Sequence, residues 1–327
     1  MKPILDIQEL TVRFRSESGQ WLTAIDRLNL RIEQGETFGL VGESGCGKSV
    51  TALSILRLLP NGIGGIAGGR ILYDGTDIVG LSESDMRRIR GREIAMIFQE
   101  PMTSLNPVLS VGFQLMETLK RHRDMSSAAA RTEAADLLRL VGIPEPQARL
   151  SDYPHQMSGG MRQRVMIAMA LSCKPRIMIA DEPTTALDVT IQAQILDLIK
   201  RLQEQFGMSV LLITHDLGVV AETCSRAAVM YMGRIVEAAT VSELFAAPMH
   251  PYTIGLFRAL PHKGKRGTPL EPIPGTVPDL AHVPSGCAFQ HRCLQVEERC
   301  GEAPPWVDVR SGHGVRCWLA APKGLET

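Results

Sequence analysis

Apolar residues fall in short runs and helical stripes that alternate along most of the chain. Leu5 to Phe14 and Thr23 to Ile32 alternate loosely and predict two half-buried strands. Thr37-Phe38-Gly39-Leu40-Val41 predicts a short buried strand, and Val50 to Leu59, without Gly or Pro, predicts a helix. Asn61 to Gly69 is dense in glycine and reads as a surface connection. Arg70 to Gly75 reads as a strand running into a turn, and Glu93 to Phe98 as a short apolar strand. Val111 to Val141 reads as helices with a polar break near Asp124 to Ser127. Leu137, Leu138, Leu140 and Val141 suit one packed face. Met161 to Leu171 predicts another helix. Ile177-Met178-Ile179-Ala180 is too short for a helix and apolar on both faces, as in a central parallel strand. Ile191, Ile195, Leu198, Ile199 and Leu202 form a helical stripe, and Val210 to Ile213 is a further buried strand. Ala227 to Tyr231 and Arg234 to Ala238 flank Gly233 like a hairpin. Strand and helix alternating from residue 37 to 231 imply an α/β fold with a parallel sheet covered on both faces.

The pattern changes near Pro248. Prolines become frequent (Pro248, Pro251, Pro261, Pro269, Pro272, Pro274, Pro278, Pro284) and helical periodicity fades after about Leu260. A boundary between Ala247 and Pro261 follows, with a first domain over 1–250 and an irregular extension over 251–327. Lys+Arg and Asp+Glu both number 35, so no bulk charge points to nucleic acid or acidic lipid. The Arg87 to Arg92 run is read as a solvated helix face. Asp6 and Glu9 come early, with no apolar signal core, which argues against secretion. No apolar stretch approaches the ~18 residues that span a bilayer, so any membrane role is peripheral.

The stretch Gly42-Glu43-Ser44-Gly45-Cys46-Gly47-Lys48-Ser49 matches G-x-x-x-x-G-K-[ST] at every fixed position, between a predicted strand and a predicted helix. Such glycines let backbone N–H groups converge on an anion, and the helix N-terminus adds positive partial charge. Lys48 can reach β- and γ-phosphates, and the Ser49 hydroxyl can hold Mg²⁺. Ser158-Gly159-Gly160 at a helix start makes a second backbone anion site by the same physics. Gln99, Asp181-Glu182 and His215 each follow an apolar strand, where a parallel α/β sheet places its ligands. Asp181 is a candidate Mg²⁺ carboxylate, and Glu182 can polarise attacking water. His215 can bond a γ-phosphate, and Gln99 can touch water or metal. Phe14, with Trp21 as alternative, can stack on a base; the plainer reading is a core aromatic. Cys46, at a helix N-terminus, is either an oxidisable thiol or simply a small residue where backbone does the binding, and the second reading is preferred.

Together these stretches resemble the ATPase subunits of ABC transporters. The resemblance covers about residues 1 to 245. Gly42 to Ser49 matches Walker A, Gln99 the Q-loop and Ile177 to Asp181 Walker B, with Glu182 as catalytic carboxylate. Ala186-Leu187-Asp188 matches the D-loop and His215 the switch histidine. The signature, usually Leu-Ser-Gly-Gly-Gln, stands as Met157-Ser158-Gly159-Gly160-Met161, departing only at its edges. The resemblance implies a RecA-like P-loop core, an N-terminal antiparallel β-subdomain and a helical subdomain at about 100–165. It also implies a head-to-tail ATPase pair, in which Ser158, Gly159 and Gly160 act on the partner's ATP. The Gln99 to Met116 segment resembles the region that meets permease coupling helices.

A narrower resemblance is to ATPases of dipeptide and oligopeptide importers. It rests on His250-Pro251-Tyr252-Thr253, Pro274-Gly275-Thr276-Val277-Pro278, Gln99 to Pro107, Ala186 to Thr190 and the cysteine-rich end. It implies an ATPase driving peptide uptake from the cytoplasmic face of the inner membrane. Its implied partners are a paralogous second ATPase, two permeases and a periplasmic or extracellular binding protein. Nickel, glutathione and other small-solute importers share the extension and stay open as alternatives. Cys287, Cys293, Cys300 and Cys317 are spaced C-x5-C-x6-C-x16-C, neither a zinc-ribbon nor a ferredoxin spacing. Four thiolates can hold Zn²⁺ or a [4Fe–4S] cluster, with His291 and His313 as substitute ligands. The resemblance implies the cluster, as a staple for a tail with little core. A soluble ABC ATPase of translation or repair would bring a second cassette or a coiled-coil insertion, and neither is present. A module that holds ATP without hydrolysing it would not need Glu182 and His215.

Overall fold

A computed structural model describes residues 2–100, 104–185, 187–259 and 272–320. Pro101 to Thr103, Ala186, Leu260, Pro261 and Pro269, which the sequence reading used, lie outside the described residues. In chain order the strands begin with β1 (Leu5–Arg15), β2 (Trp21–Ile32) and β3 (Thr37–Val41), followed by helix α1 (Lys48–Ile55). Then come β4 (Gly64–Tyr73), β5 (Thr76–Asp77), α2 (Glu83–Ile89) and β6 (Ile94–Ile97). Four helices follow: α3 (Val111–Arg123), α4 (Ser127–Leu140), α5 (Pro146–Arg149) and α6 (Gly159–Leu171). Next are β7 (Ile177–Asp181), α7 (Val189–Phe206), β8 (Ser209–Thr214) and α8 (Leu217–Thr223). The hairpin strands β9 (Arg226–Tyr231) and β10 (Arg234–Thr240) lead into α9 (Val241–Ala246) and α10 (Pro251–Arg258). The described chain ends with β11 (Val307–Arg310), β12 (His313–Val315) and a short 3-10 turn.

The chain divides into two compact units, each assembled from separate stretches. The first takes residues 1–4, 32–37 and 73–213. Its β6, β7 and β8 are parallel, with Ile97 opposite Ala180 and Asp181 opposite Ile213. Every residue of β7 is buried, as its continuous apolar run requires. Three of the helices in this unit start where a polar side chain caps them. Ser110 accepts from the Phe113 N–H, Ser126 from Ala129 and Asp188 from Ile191. Helix α3 buries Val111, Leu115 and Leu119, and α4 buries Ala134, Leu137 and Leu138. The predicted stripe of α7 buries Ile195, Leu198, Ile199 and Leu202, and Gly207 at φ +62° ends the helix. The basic run closes α2 as a solvated face, Arg87 and Arg90 pairing with Glu83, and Arg88 with Asp85.

The second unit takes residues 5–31, 38–72 and 214–327. Strands β2, β1 and β4 lie side by side in one sheet. A second set runs β3, β9, β10, β12, β11. Here β3 is parallel to β9, while the β9–β10, β10–β12 and β12–β11 pairs are antiparallel.

Two expectations need correction. The glycine-dense stretch is not a connection, because β4 starts at Gly64 and takes in most of it. Two of its glycines serve close approach: a Cβ on Gly69 would lie 2.4 Å from the Glu9 carbonyl oxygen, and one on Gly64 at 2.4 Å from the Phe14 ring. The C-terminal extension is also less irregular than expected, since β12 pairs with β10, with Glu237 opposite Val315. Alternation over Val307-Asp308-Val309-Arg310 was the signal, hidden among prolines.

Candidate functional site

In the second unit, buried β3 delivers the chain to Gly42, where the backbone turns sharply. Gly42 has φ +155°, and a Cβ there would lie 2.3 Å from the Met230 carbonyl oxygen. Gly47 has φ +111° and is the N-cap of α1, with Ile25 and Met230 side chains within 3 Å of a built Cβ. No side chain caps α1, so its first N–H groups are left to whatever enters the loop. Ser44 and Gly45 are exposed at the tip. The Lys48 ammonium folds back and donates to the carbonyls of Gly42 (2.8 Å) and Glu43 (3.0 Å). Its positive charge is thus parked inside the loop, where an incoming phosphate would replace two carbonyl partners. Ser49 follows, half-buried, in the first turn of α1.

Cys46 is buried beneath the loop, and burial pushes its thiol up, against the lowering pull of Lys48. That is the environment of an inert packing thiol, in keeping with the plainer of its two readings. Glu43, expected among the ATP-contacting residues, has its groups committed elsewhere. Its N–H donates to the Tyr252 hydroxyl, and its carboxylate accepts from Arg292. Phe14 is half-buried with its ring against Gly64, whereas Trp21 is 54% exposed. His215 is exposed, just before Asp216, whose carboxylate accepts from the Gly218 and Val219 N–H groups at the start of α8.

In the first unit, β7 ends in Asp181, a buried side chain 3% exposed, and Glu182 follows in the left-handed region at φ +45°. For a non-glycine residue that conformation is costly, and such residues cluster at functional sites. The Glu182 N–H donates to the Ile213 carbonyl at 2.8 Å, which keeps the turn attached to β8. The Glu182 carboxylate then accepts from the Gln99 amide at 3.2 Å and the Thr185 hydroxyl at 2.8 Å. So Gln99 and Glu182, predicted separately from two strand ends, meet directly. Thr185 was missed; its place three residues after Glu182 was the available signal.

The predicted helix start at Ser158-Gly159-Gly160 is present. Ser158 caps α6 by accepting from the Met161 N–H, with Ser158 and Gly159 exposed. A Cβ on Gly160 would lie 2.9 Å from Ile191, in the first turn of α7. That close packing ties the signature stretch to Asp188, the α7 cap. Met157 is buried, and Met161 donates its backbone N–H to the Ser158 hydroxyl.

The four C-terminal cysteines are free thiols. The Cys287 N–H donates to the Cys300 carbonyl at 2.9 Å. Cys293 and Cys300 sulfurs accept backbone N–H groups of Gln295 and Glu297, at 3.4 and 3.5 Å. Burial first, and then charge on neighbouring cysteines, pushes the Cys317 thiol up to about 11. As they stand, however, the thiols do not form the expected metal centre. Among the described residues no three His, Cys, Asp or Glu side chains are placed to hold one ion. His313 is buried, with Nε2 held 2.8 Å from the Glu237 carboxylate. Among the described residues no helix is long and apolar enough to cross a membrane.

A glycine loop with its lysine, and a strand-end carboxylate pair with its glutamine, define a P-loop ATPase. Comparison with known proteins agrees. Residues 25–185 match the family described as ABC transporter, and residues 236–300 match the one described as oligopeptide/dipeptide transporter, C-terminal region. The chain is 52% identical over 320 residues to the dipeptide transport ATP-binding protein DppD of Bacillus subtilis (strain 168), covering 98% of this chain and 95% of the relative. It is 49% identical over 323 residues to the oligopeptide transport ATP-binding protein OppD of the same organism, covering 98% and 89%. Among solved structures it resembles the dimeric ATP-binding cassette MJ0796 bound to ADP and Pi. That match has TM-score 0.64 and 28% identity, over 72% of this chain and 98% of that one. The chain therefore belongs to the ABC transporter ATP-binding proteins, in the group that carries the oligopeptide/dipeptide C-terminal region. Its reaction is ATP hydrolysis.

Proposed function

We propose that this chain is the ATP-hydrolysing subunit of an importer that takes up dipeptides or oligopeptides through membrane permeases. The observation that carries the catalytic part is the Gln99–Glu182 hydrogen bond beside a buried Asp181. Lys48 and the backbone of Gly45 to Ser49 bind the phosphates of ATP. Glu182 orients and deprotonates the attacking water, and His215 bonds the γ-phosphate. Ser49, Gln99 and Asp181 are the residues that would hold Mg²⁺, which supplies charge neutralisation on the phosphates. Phe14 stacks on the base. Ser158, Gly159 and Gly160, with Asp188, complete the site of a second ATPase, a paralogue, arranged head to tail. Nucleotide-driven closing of that pair is passed to two permeases at the cytoplasmic face of the membrane, supplied by an external binding protein.

The peptide reading draws support from relatives such as DppD, named for dipeptide transport. Nickel, glutathione and other small solutes are the competing cargoes. A Glu182→Gln variant should keep ATP binding while phosphate release falls about 10²–10⁴-fold; near-normal turnover would refute the role. Uptake of a labelled dipeptide by the reconstituted transporter, absent with Glu182→Gln, tests the cargo.

For the cysteine-rich end we propose a [4Fe–4S] cluster on Cys287, Cys293, Cys300 and Cys317, with Zn²⁺ as the alternative. Support comes from the N–H···S bonds and the mutual influence of the thiols. Loading requires the sulfurs to draw closer than they stand. Iron and zinc analysis of anaerobically purified protein tests this, and metal-free protein with four free thiols removes it.

A further inference from the structure

Glu43, the second residue of the phosphate loop, is held by two groups far away in sequence. The Tyr252 hydroxyl accepts its N–H at 2.8 Å. Arg292 donates through both terminal nitrogens to its carboxylate, at 2.6 and 3.0 Å. A two-pronged bond of this kind fixes angle as well as distance. The arginine is itself locked. Its side chain is 4% exposed, its Nε donates to the Pro274 carbonyl at 2.9 Å, and its guanidinium lies over the Tyr231 and Phe289 rings at 5.8 and 5.9 Å. Tyr231, Tyr252 and Phe289 pack on one another, with centroids 4.7 to 5.4 Å apart. The far side of Glu43 carries the catalytic lysine, because Lys48 rests on the carbonyls of Gly42 and Glu43. The orientation of this one residue therefore decides where the lysine waits.

We propose that Arg292 and Tyr252 are positioning residues for ATP. They hold the phosphate loop in its curved, anion-accepting form through Glu43, so that nucleotide meets a loop already ordered. The C-terminal extension is then a working part of the nucleotide site. The clamp acts alike on bound substrate and on the transition state, so its loss appears in binding and KM with kcat nearly unchanged.

This inference rests on the reading of Gly42 to Ser49 as the phosphate site, and the experiment separates the two. The full-length chain is titrated with a fluorescent ADP analogue, with steady-state ATPase measured in parallel. Glu43→Ala and Arg292→Ala should each weaken binding and raise KM about 10-fold, and the double variant should be no worse than either single change. Arg292→Lys, which keeps the charge without the fork, should recover part of the loss. Tyr252→Phe, which removes one oxygen from a packed ring, should weaken binding about 5-fold, since one hydrogen bond is worth about 1 kcal/mol; this variant keeps the question open to test if Arg292→Ala does not fold. Unchanged binding in Glu43→Ala and Tyr252→Phe overturns the proposal, as does a double variant whose loss is the product of the singles. Lys48→Ala is the control: full binding there would overturn the phosphate site itself, and the clamp with it.

Discussion

In the phosphate loop, Gly42 and Gly47 take φ values of +155° and +111°, and Lys48 closes onto carbonyls five and six residues back. Where the C-terminal extension packs on β10 and on the phosphate loop, the corresponding work is done across long stretches of chain. The Glu237 carboxylate, fully buried, accepts N–H groups from Met249 and His250 and stands 2.8 Å from the His313 ring. Arg292 reaches Glu43 across 249 positions. The first region is shaped by backbone conformations that neighbouring residues permit. The second is shaped by buried polar groups that must find partners wherever the chain returns. Each is vulnerable in its own way: the loop to a Cβ added at Gly42 or Gly47, the seat of the extension to the loss of a single buried polar atom.

The largest expected effect is at β10, where the extension is seated. Glu237→Ala would strand two backbone N–H groups and a buried imidazole, so stability should fall by about 3–5 kcal/mol, read by urea unfolding of the whole chain. A loss under ~1 kcal/mol would mean water replaces the carboxylate and the contrast fails. Next comes Gly42→Ala, which meets the Met230 carbonyl at 2.3 Å in a conformation unfavourable for alanine; about 2–3 kcal/mol is expected, with nucleotide binding lost beyond what unfolding explains. Wild-type stability there would show that the loop is not shaped by local sterics. The smallest effect per step is a pH dependence at His250, the cap of α10 just before the extension. His250 is buried with Nδ1 accepting the Tyr252 N–H, and burial pushes its ring down to about 3 from 6.5. The neutral form is native, so this contribution is intact above pH 6.5 and is lost as pH falls toward about 3, at up to about 1.4 kcal/mol per pH unit. Unfolding free energies measured across that range should decline more steeply than those of His250→Asn, which keeps an acceptor for the cap; identical slopes would remove His250 as the cause.

Legibility followed the same divide. Strand–loop–helix at Gly42 to Ser49, the buried run before Asp181 and the α7 stripe were readable because period and spacing report local geometry directly. The signature stretch was readable for the same reason, with Met157 standing in the core as leucine would. The glycines of β4 were misread, since glycine marks a turn or a close strand approach, and only the neighbour at Glu9 and Phe14 distinguishes them. Arg292, Tyr252 and Tyr231 drew no functional expectation, though Tyr252 lay inside a motif that carried the family resemblance. The cysteine spacing by itself favoured no metal, because spacing does not say how closely four sulfurs converge.

The sequence alone was enough for the family and for the local elements: a glycine loop between strand and helix, carboxylates at the end of β7, and a capped glycine pair at the start of α6. Those are short-range patterns, in which residue type limits the backbone within a few positions. Only the tertiary structure decided that Gln99 bonds Glu182, that Glu182 stands in a left-handed turn, and that Arg292 grips the phosphate loop. Each of these depends on where distant segments return, and that is settled by the burial of whole elements and the satisfaction of their polar groups rather than by any local pattern.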